Sequence, residues 1–149
     1  IVPILVGGFS EYIHSGLPPM ASPAVKELIE VIRGVLLDQP GDTALIGSVD
    51  LAHLGPQFGD SIELSDSFLK QSRDLDRESL EKIARGDADA FLLQATDEND
   101  ERHVCGLAPT TICLAALAPV TGRVLDYEQW VSPDRNGSVS FAAVGLYRG

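Results

Sequence analysis

The alternation of apolar and polar positions changes period several times along this chain. The opening, Ile1 to Gly7, is an apolar run with the character of a buried strand. Gly7 to Met20, with its Gly-Leu-Pro-Pro punctuation, predicts a loop. Ser22 then offers an N-cap and Pro23 the first helical position. Val25, Leu28, Ile29, Ile32 and Leu36 fall on one stripe at spacings of three and four, which predicts a helix from Pro23 to about Leu37. Asp38, Gln39, Pro40 and Gly41 end it. A second apolar run, Ala44, Leu45, Ile46 and then Val49, predicts a strand that stops at Asp50. Strand, helix and strand with a short return form the βαβ unit of a parallel sheet.

Beyond Asp60 the pattern becomes charged and helical. Helices are predicted over Ser65 to Ser72, over Arg77 to Ala84 with Asp76 as cap, and from an Asp87 cap to about Ala95. The run Asp97-Glu98-Asn99-Asp100-Glu101 reads as a solvated acidic turn. Pro109 to Ala118 is a mostly apolar helix, which implies burial. The end is β-rich: Arg123 to Val131, a turn over Ser132 to Gly137 containing Asn136-Gly137, and Ser138 to Tyr147. The Asn-Gly pair suits an antiparallel hairpin. Together these elements predict an α/β fold, layered, with a mostly parallel sheet flanked by helices and a C-terminal antiparallel β-hairpin.

Composition narrows the class. A chain of 149 residues, 44% of them hydrophobic, is enough for a single domain over residues 1–149 with one sizeable core. Eleven basic residues against 22 acidic ones leave a net charge of −11, which repels phosphate backbones and anionic bilayers. No nucleic-acid or membrane partner is expected. Cys105 and Cys113, eight positions apart, are too distant along a helix for a disulfide, and two thiols fit a reducing, cytoplasmic setting. The chain opens on Ile1 inside a strand-like run, which reads as part of a longer protein.

The candidate chemistry lies where the second apolar run stops. Open α/β sheets place ligand crevices at the carboxyl ends of their strands, and there the sequence supplies Asp50 and His53. A carboxylate beside an imidazole fixes its tautomer and raises its basicity, as a general base or a metal ligand needs. The plainer alternative is that Asp50 caps a turn and His53 bonds a backbone carbonyl. Cys105 precedes Gly106 and a helix start, where a thiolate is favoured for metal binding or nucleophilic attack; a small buried thiol is the other option. Cys105, His53 and Asp50 also have the makings of a cysteine hydrolase triad. Cys113 fits the core, His14 and His103 fit exposed loops, and packing accounts for Tyr127 and Trp130, although Trp130 also suits a pocket rim.

Four stretches in this order, VPILVG, GSVDLAHLGPQFGD, RHVCGLAPTTICLAAL and YEQWVSPDRNGSVSFAAVGLY, resemble the carboxyl-terminal part of the Memo-like family, whose bacterial members are also called AmmeMemoRadiSam system protein B. That family is similar in fold to class III extradiol dioxygenases. The resemblance implies a non-haem iron or copper redox or dioxygenase-type protein, with Cys105 as metal ligand and Asp50 and His53 as acid–base groups lining the same pocket. It further implies that two more metal-ligating histidines belong to an N-terminal part with no equivalent here. This piece would then be inactive by itself, without a tightly bound metal, and would pair with the missing N-terminal half, another subunit or itself. The alternative that the resemblance offers is a non-catalytic peptide- or protein-binding module, with radical SAM and AMMECR1-like proteins as partners.

Overall fold

The structure, a computed structural model, describes residues 1–38, 41 and 43–148. The segment expected as a loop contains helix α1 (Ser10–Ser15) and a 3₁₀ turn (Pro19–Ala21). Helix α2 spans Pro23–Asp38, and the Ser22 carbonyl accepts the Lys26 N–H at 3.1 Å, so the chain enters the helix where Ser22-Pro23 predicts. Its stripe is its buried face: Ile29, Ile32 and Leu36 pack with Ala108, Ile112 and Ala116 of helix α5 (Leu107–Leu117), with Val25 and Leu28 alongside. Of the residues expected to stop α2, Gln39 and Pro40 lie outside the described residues.

The two short helices expected between Ser65 and Ala84 are one continuous helix, α3 (Asp66–Ala84). Ser65 caps it, its Oγ accepting the Phe68 N–H at 3.3 Å. The reason the helix does not break lies at Asp76. Asp76 is no exposed cap; it is fully buried in mid-helix, where it accepts hydrogen bonds from Arg102 and from the Tyr127 hydroxyl. With those partners its charge needs no helix end. Asp87 does cap helix α4 (Ala88–Asp97), accepting the Ala90 N–H at 2.9 Å.

Among the described residues, three strands form one sheet: β1 (His53–Leu54), β2 (Thr121–Val131) and β3 (Ser138–Tyr147), in the order β1-β3-β2. The late hairpin is as expected, running in register from Thr121 opposite Tyr147 to Val131 opposite Ser138, with a shift between Val124 and Asp126. Its turn works differently from the expectation. The left-handed residue is Arg135 (φ 55°). Gly137 is not left-handed, and a Cβ there would lie 2.8 Å from Gln57 Oε1, the movable end of a long side chain.

The mostly parallel sheet is not what the described residues form. Both pairings are antiparallel, residues 1–7 are irregular with Ile1, Val2 and Leu5 exposed, and residues 44–49 join no ladder. Composition makes an apolar run suitable for a strand, but hydrogen-bonded neighbours make it one. Neither run has such neighbours among the described residues, so the βαβ unit does not close. One core cluster lies beneath the hairpin, where Leu80, Ile83, Phe91, Leu107 and Leu114 meet Val124, Ala142, Val144 and Leu146. No helix among the described residues is long and apolar enough to cross a membrane.

Candidate metal centre

The backbone assembles the site before any side chain contributes. As the chain leaves residue 49 it meets β3: the Leu51 N–H donates to Ser140 O at 2.8 Å and the Ser140 N–H to Ala52 O at 3.0 Å. The Ser140 hydroxyl also accepts the Ala52 N–H at 3.0 Å. A second segment, residues 102–106, is tied to the first by the His53 N–H donating to Arg102 O at 2.8 Å and the Gly106 N–H to Asp50 O at 3.0 Å. Gly106 makes that approach feasible. A Cβ at this position would sit 2.5 Å from Asp50 O and 2.9 Å from Val49 Cβ.

These ties bring Asp50, His53 and Cys105 together. One ligand atom from each lies within 4.8 Å of the other two. His53 Nε2 is 3.8 Å from Asp50 Oδ2, and the Cys105 thiol faces Asp50 O at 3.7 Å. His53 Nδ1 stands 3.2 Å from Leu51 O, a partner that only an N–H satisfies. The ring is therefore the Nδ1–H tautomer when neutral, and its Nε2 lone pair faces the cluster. Phe58 meets the imidazole edge-on at 5.0 Å, walling one side. The His53 side chain is 19% exposed and that of Asp50 is 50% exposed, and Cys105 is exposed as well.

Thiolate, imidazole and carboxylate are a mixed donor set of borderline softness, suited to iron, copper or zinc rather than to magnesium or calcium. Ligands about 2.0–2.3 Å from one tetrahedral ion sit roughly 3.5 Å apart. With all three donor atoms within 4.8 Å of one another, an ion held by one of them would lie beside the other two, so the residues fit a transition metal. They fit a hydrolase triad less well. A triad aims the imidazole's Nε2 at the nucleophile and places the carboxylate on Nδ1; here the carboxylate lies on the Nε2 side and a backbone carbonyl holds Nδ1.

The other candidates scatter. His14 is exposed at the end of α1, bonded to Ser10 O at 2.7 Å. Cys113 is half-buried beside a cavity of about 390 Å³ under residues 44–49, and burial pushes its thiol pKa up. Tyr127 belongs to the core, while Trp130 is 49% exposed. His103 is half-exposed but not free: its Nε2 meets Asp60 Oδ1 at 2.9 Å. The acidic turn is only partly solvated. Glu98 and Asp100 turn inward, Glu98 accepting from Arg102 Nε at 2.6 Å and Asp100 from the Val104 N–H at 3.0 Å. Burial pushes the Asp100 carboxyl above its ordinary range.

Behind the cluster lies a polar network that no local pattern in the sequence announces. Arg102 is buried and donates to Asp76, Glu98 and Ser79. The Tyr127 hydroxyl donates to the second Asp76 oxygen at 2.8 Å. Burial raises the Asp76 pKa, against the pull of the Ser140 and Tyr127 hydroxyls and of Arg102. Burial, and then the Asp76 charge, push the Tyr127 hydroxyl well up.

The profile of the family described as Memo-like protein matches residues 1–145. A MEMO1 family protein of Thermus thermophilus is 38% identical over 76 residues, a stretch that covers 51% of this chain and 22% of that protein. The chain thus aligns with less than a quarter of the relative's length.

Proposed function

The chain belongs to the Memo-like protein family, and from that premise we propose that it serves a metal-dependent protein of the non-haem redox or dioxygenase type, with the pocket at Asp50, His53 and Cys105. One observation carries the reading: three donor atoms of different chemistry, from segments far apart in sequence, converge within 4.8 Å. Of the three groups, Cys105 would be the ligand, its thiolate holding iron or copper, while His53 and Asp50 would stay unligated and act beside the ion. When bound, the ion supplies Lewis-acid and one-electron chemistry. The remaining work falls to the protein's own groups. His53 takes up a proton at Nε2 from a ligand entering the pocket, while Leu51 O keeps the ring in orientation through Nδ1. Asp50 stabilises the imidazolium so formed from 3.8 Å away. Phe58 limits water on one flank.

Further ligands come from a segment outside this sequence, which also supplies pairing partners for the apolar runs at 1–7 and 44–49. Exposure of Ile1, Val2, Leu5 and Ile46 supports this. Anaerobic titration with Fe(II) and Cu(I) tests the proposal on this chain, on the complete gene product and on its Cys105→Ser variant. Stoichiometric binding by the complete protein, lost in the variant, is expected. Undiminished affinity after Cys105→Ser rules out the assignment.

A second reading, a non-catalytic peptide- or protein-binding module, draws support from Leu125, Trp130 and Phe141, all exposed on the hairpin. It predicts a stable protein complex that survives Cys105→Ser and weakens on Trp130→Ala, measured by calorimetry.

A further inference from the structure

The site has two arms, residues 50–55 carrying Asp50 and His53, and residues 102–106 carrying Cys105. Two backbone hydrogen bonds join them on the inner side. On the outer side stands a carboxylate that neither the sequence pattern nor the donor cluster singles out. We propose that Asp60 is a positioning residue for this site, locking the two arms in one arrangement. The proposal rests on the metal reading of the Asp50–His53–Cys105 cluster.

Asp60 spends both oxygens across the gap. Oδ2 accepts the Gly55 N–H at 2.7 Å, two residues beyond His53. Oδ1 meets His103 Nε2 at 2.9 Å, two residues before Cys105. Its side chain is only 14% exposed, so these bonds are poorly replaced by water. The turn it closes, with the Asp60 N–H also reaching Gly55 O at 3.3 Å, contains the Phe58 ring that walls His53.

The two anchored residues differ: Gly55 holds a backbone conformation open to glycine, whereas His103 holds one that would otherwise relax. Gly55 has φ 106°, and a Cβ there would lie 2.8 Å from Asn136 O. His103 is left-handed at φ 49°, in a loop where Asn99 and Asp100 are left-handed too, both at φ 52°. Such conformations persist in non-glycine residues only when their surroundings fix them. The Asp60 carboxylate supplies that fixing at the step of the chain that delivers Cys105. An amide in its place keeps both contacts only if His103 Nε2 turns from donor to acceptor, and it loses the carboxylate's charge in either case, so Asp60→Asn weakens the link between the arms.

The test compares the complete gene product with its Asp60→Asn, His103→Ala and His103→Gln variants, reading amide hydrogen exchange by NMR and Co(II) affinity by thiolate charge-transfer absorption. The informative amides are His53 and Gly106, whose acceptors lie on the opposite arm, with Leu114 in α5 as the reference for intact folding. Asp60→Asn and His103→Ala should each speed exchange at His53 and Gly106 by about tenfold and weaken Co(II) binding by roughly 10–100-fold. His103→Gln, which keeps an N–H donor, should stay near wild type. Unchanged exchange at His53 and Gly106 overturns the proposal. So does faster exchange with undiminished Co(II) affinity. If wild type takes up no Co(II), the metal reading fails by itself, and the exchange data with the glutamine rescue still decide whether Asp60 locks the arms.

Discussion

Two polar clusters meet at residues 102–105, and they are built in opposite ways. In the network around Arg102, the guanidinium serves Asp76, Glu98 and Ser79, and Asp76 takes the Tyr127 hydroxyl on its other oxygen. Asp76, Ser79 and Arg102 are buried, Glu98 and Tyr127 partly so, and they satisfy one another. The Asp50–His53–Cys105 cluster is open, and the Nε2 lone pair, the thiol and a half-exposed carboxylate face the same space without closing on each other. A closed cluster holds the fold, because every bond it can make is already made. An open one leaves its bonding capacity to something that arrives. Charged side chains by themselves therefore do not mark a functional site; unspent donors and acceptors do.

The sharpest way to break this comparison is Arg102→Met. It strands the Asp76 charge in the core and should destabilise by about 3–5 kcal/mol in urea unfolding, with much of the loss recovered when Asp76→Leu is added. A loss below about 1 kcal/mol would show that the network is not closed. Gly106→Ala should come next, at about 1–3 kcal/mol, because the new methyl group collides with Asp50 O and Val49. Unlike Arg102→Met, it also displaces the thiol, so Co(II) affinity should fall further than stability accounts for.

Tyr127→Phe removes one donor from Asp76 and leaves the open cluster untouched. About 1–2 kcal/mol of stability should be lost with metal affinity unchanged. The smallest effect separates the two thiols. Iodoacetamide with peptide mapping at neutral pH should label exposed Cys105 before Cys113. Burial raises the Cys113 pKa, so its thiolate fraction is low at neutral pH. Its labelling should keep rising, by about tenfold per pH unit, beyond the pH at which an ordinary thiol near 8.5 levels off. Equal labelling at neutral pH would erase the contrast between the two cysteines.

Where structure follows local pattern, the sequence was readable. The stripe on α2, the Asp87 cap and the β2–β3 hairpin all follow from spacings within a few residues. Asp50, His53 and Cys105 were legible as candidates because each interrupts an apolar or glycine-bounded run. The failures share a cause. Asp76 looked like a cap because its partner Arg102 lies 26 positions away, and the Asp60–His103 pair spans 43. Residues 44–49 looked like a strand because apolar character is local, whereas the neighbour that turns such a run into a strand is not.

The bonds from Leu51 and Ala52 to Ser140 also set an order of events. Ala52 and Ser140 are separated by 88 positions, and Leu51 lies one further away, so during synthesis the Asp50 arm emerges from the ribosome long before β3 exists to hold it. Helices α2 to α5 can gather through shorter loops, but the pocket waits for the hairpin to dock. On the metal reading proposed above, loading would follow the docking of the hairpin, because before it the arm offers an ion only isolated side chains.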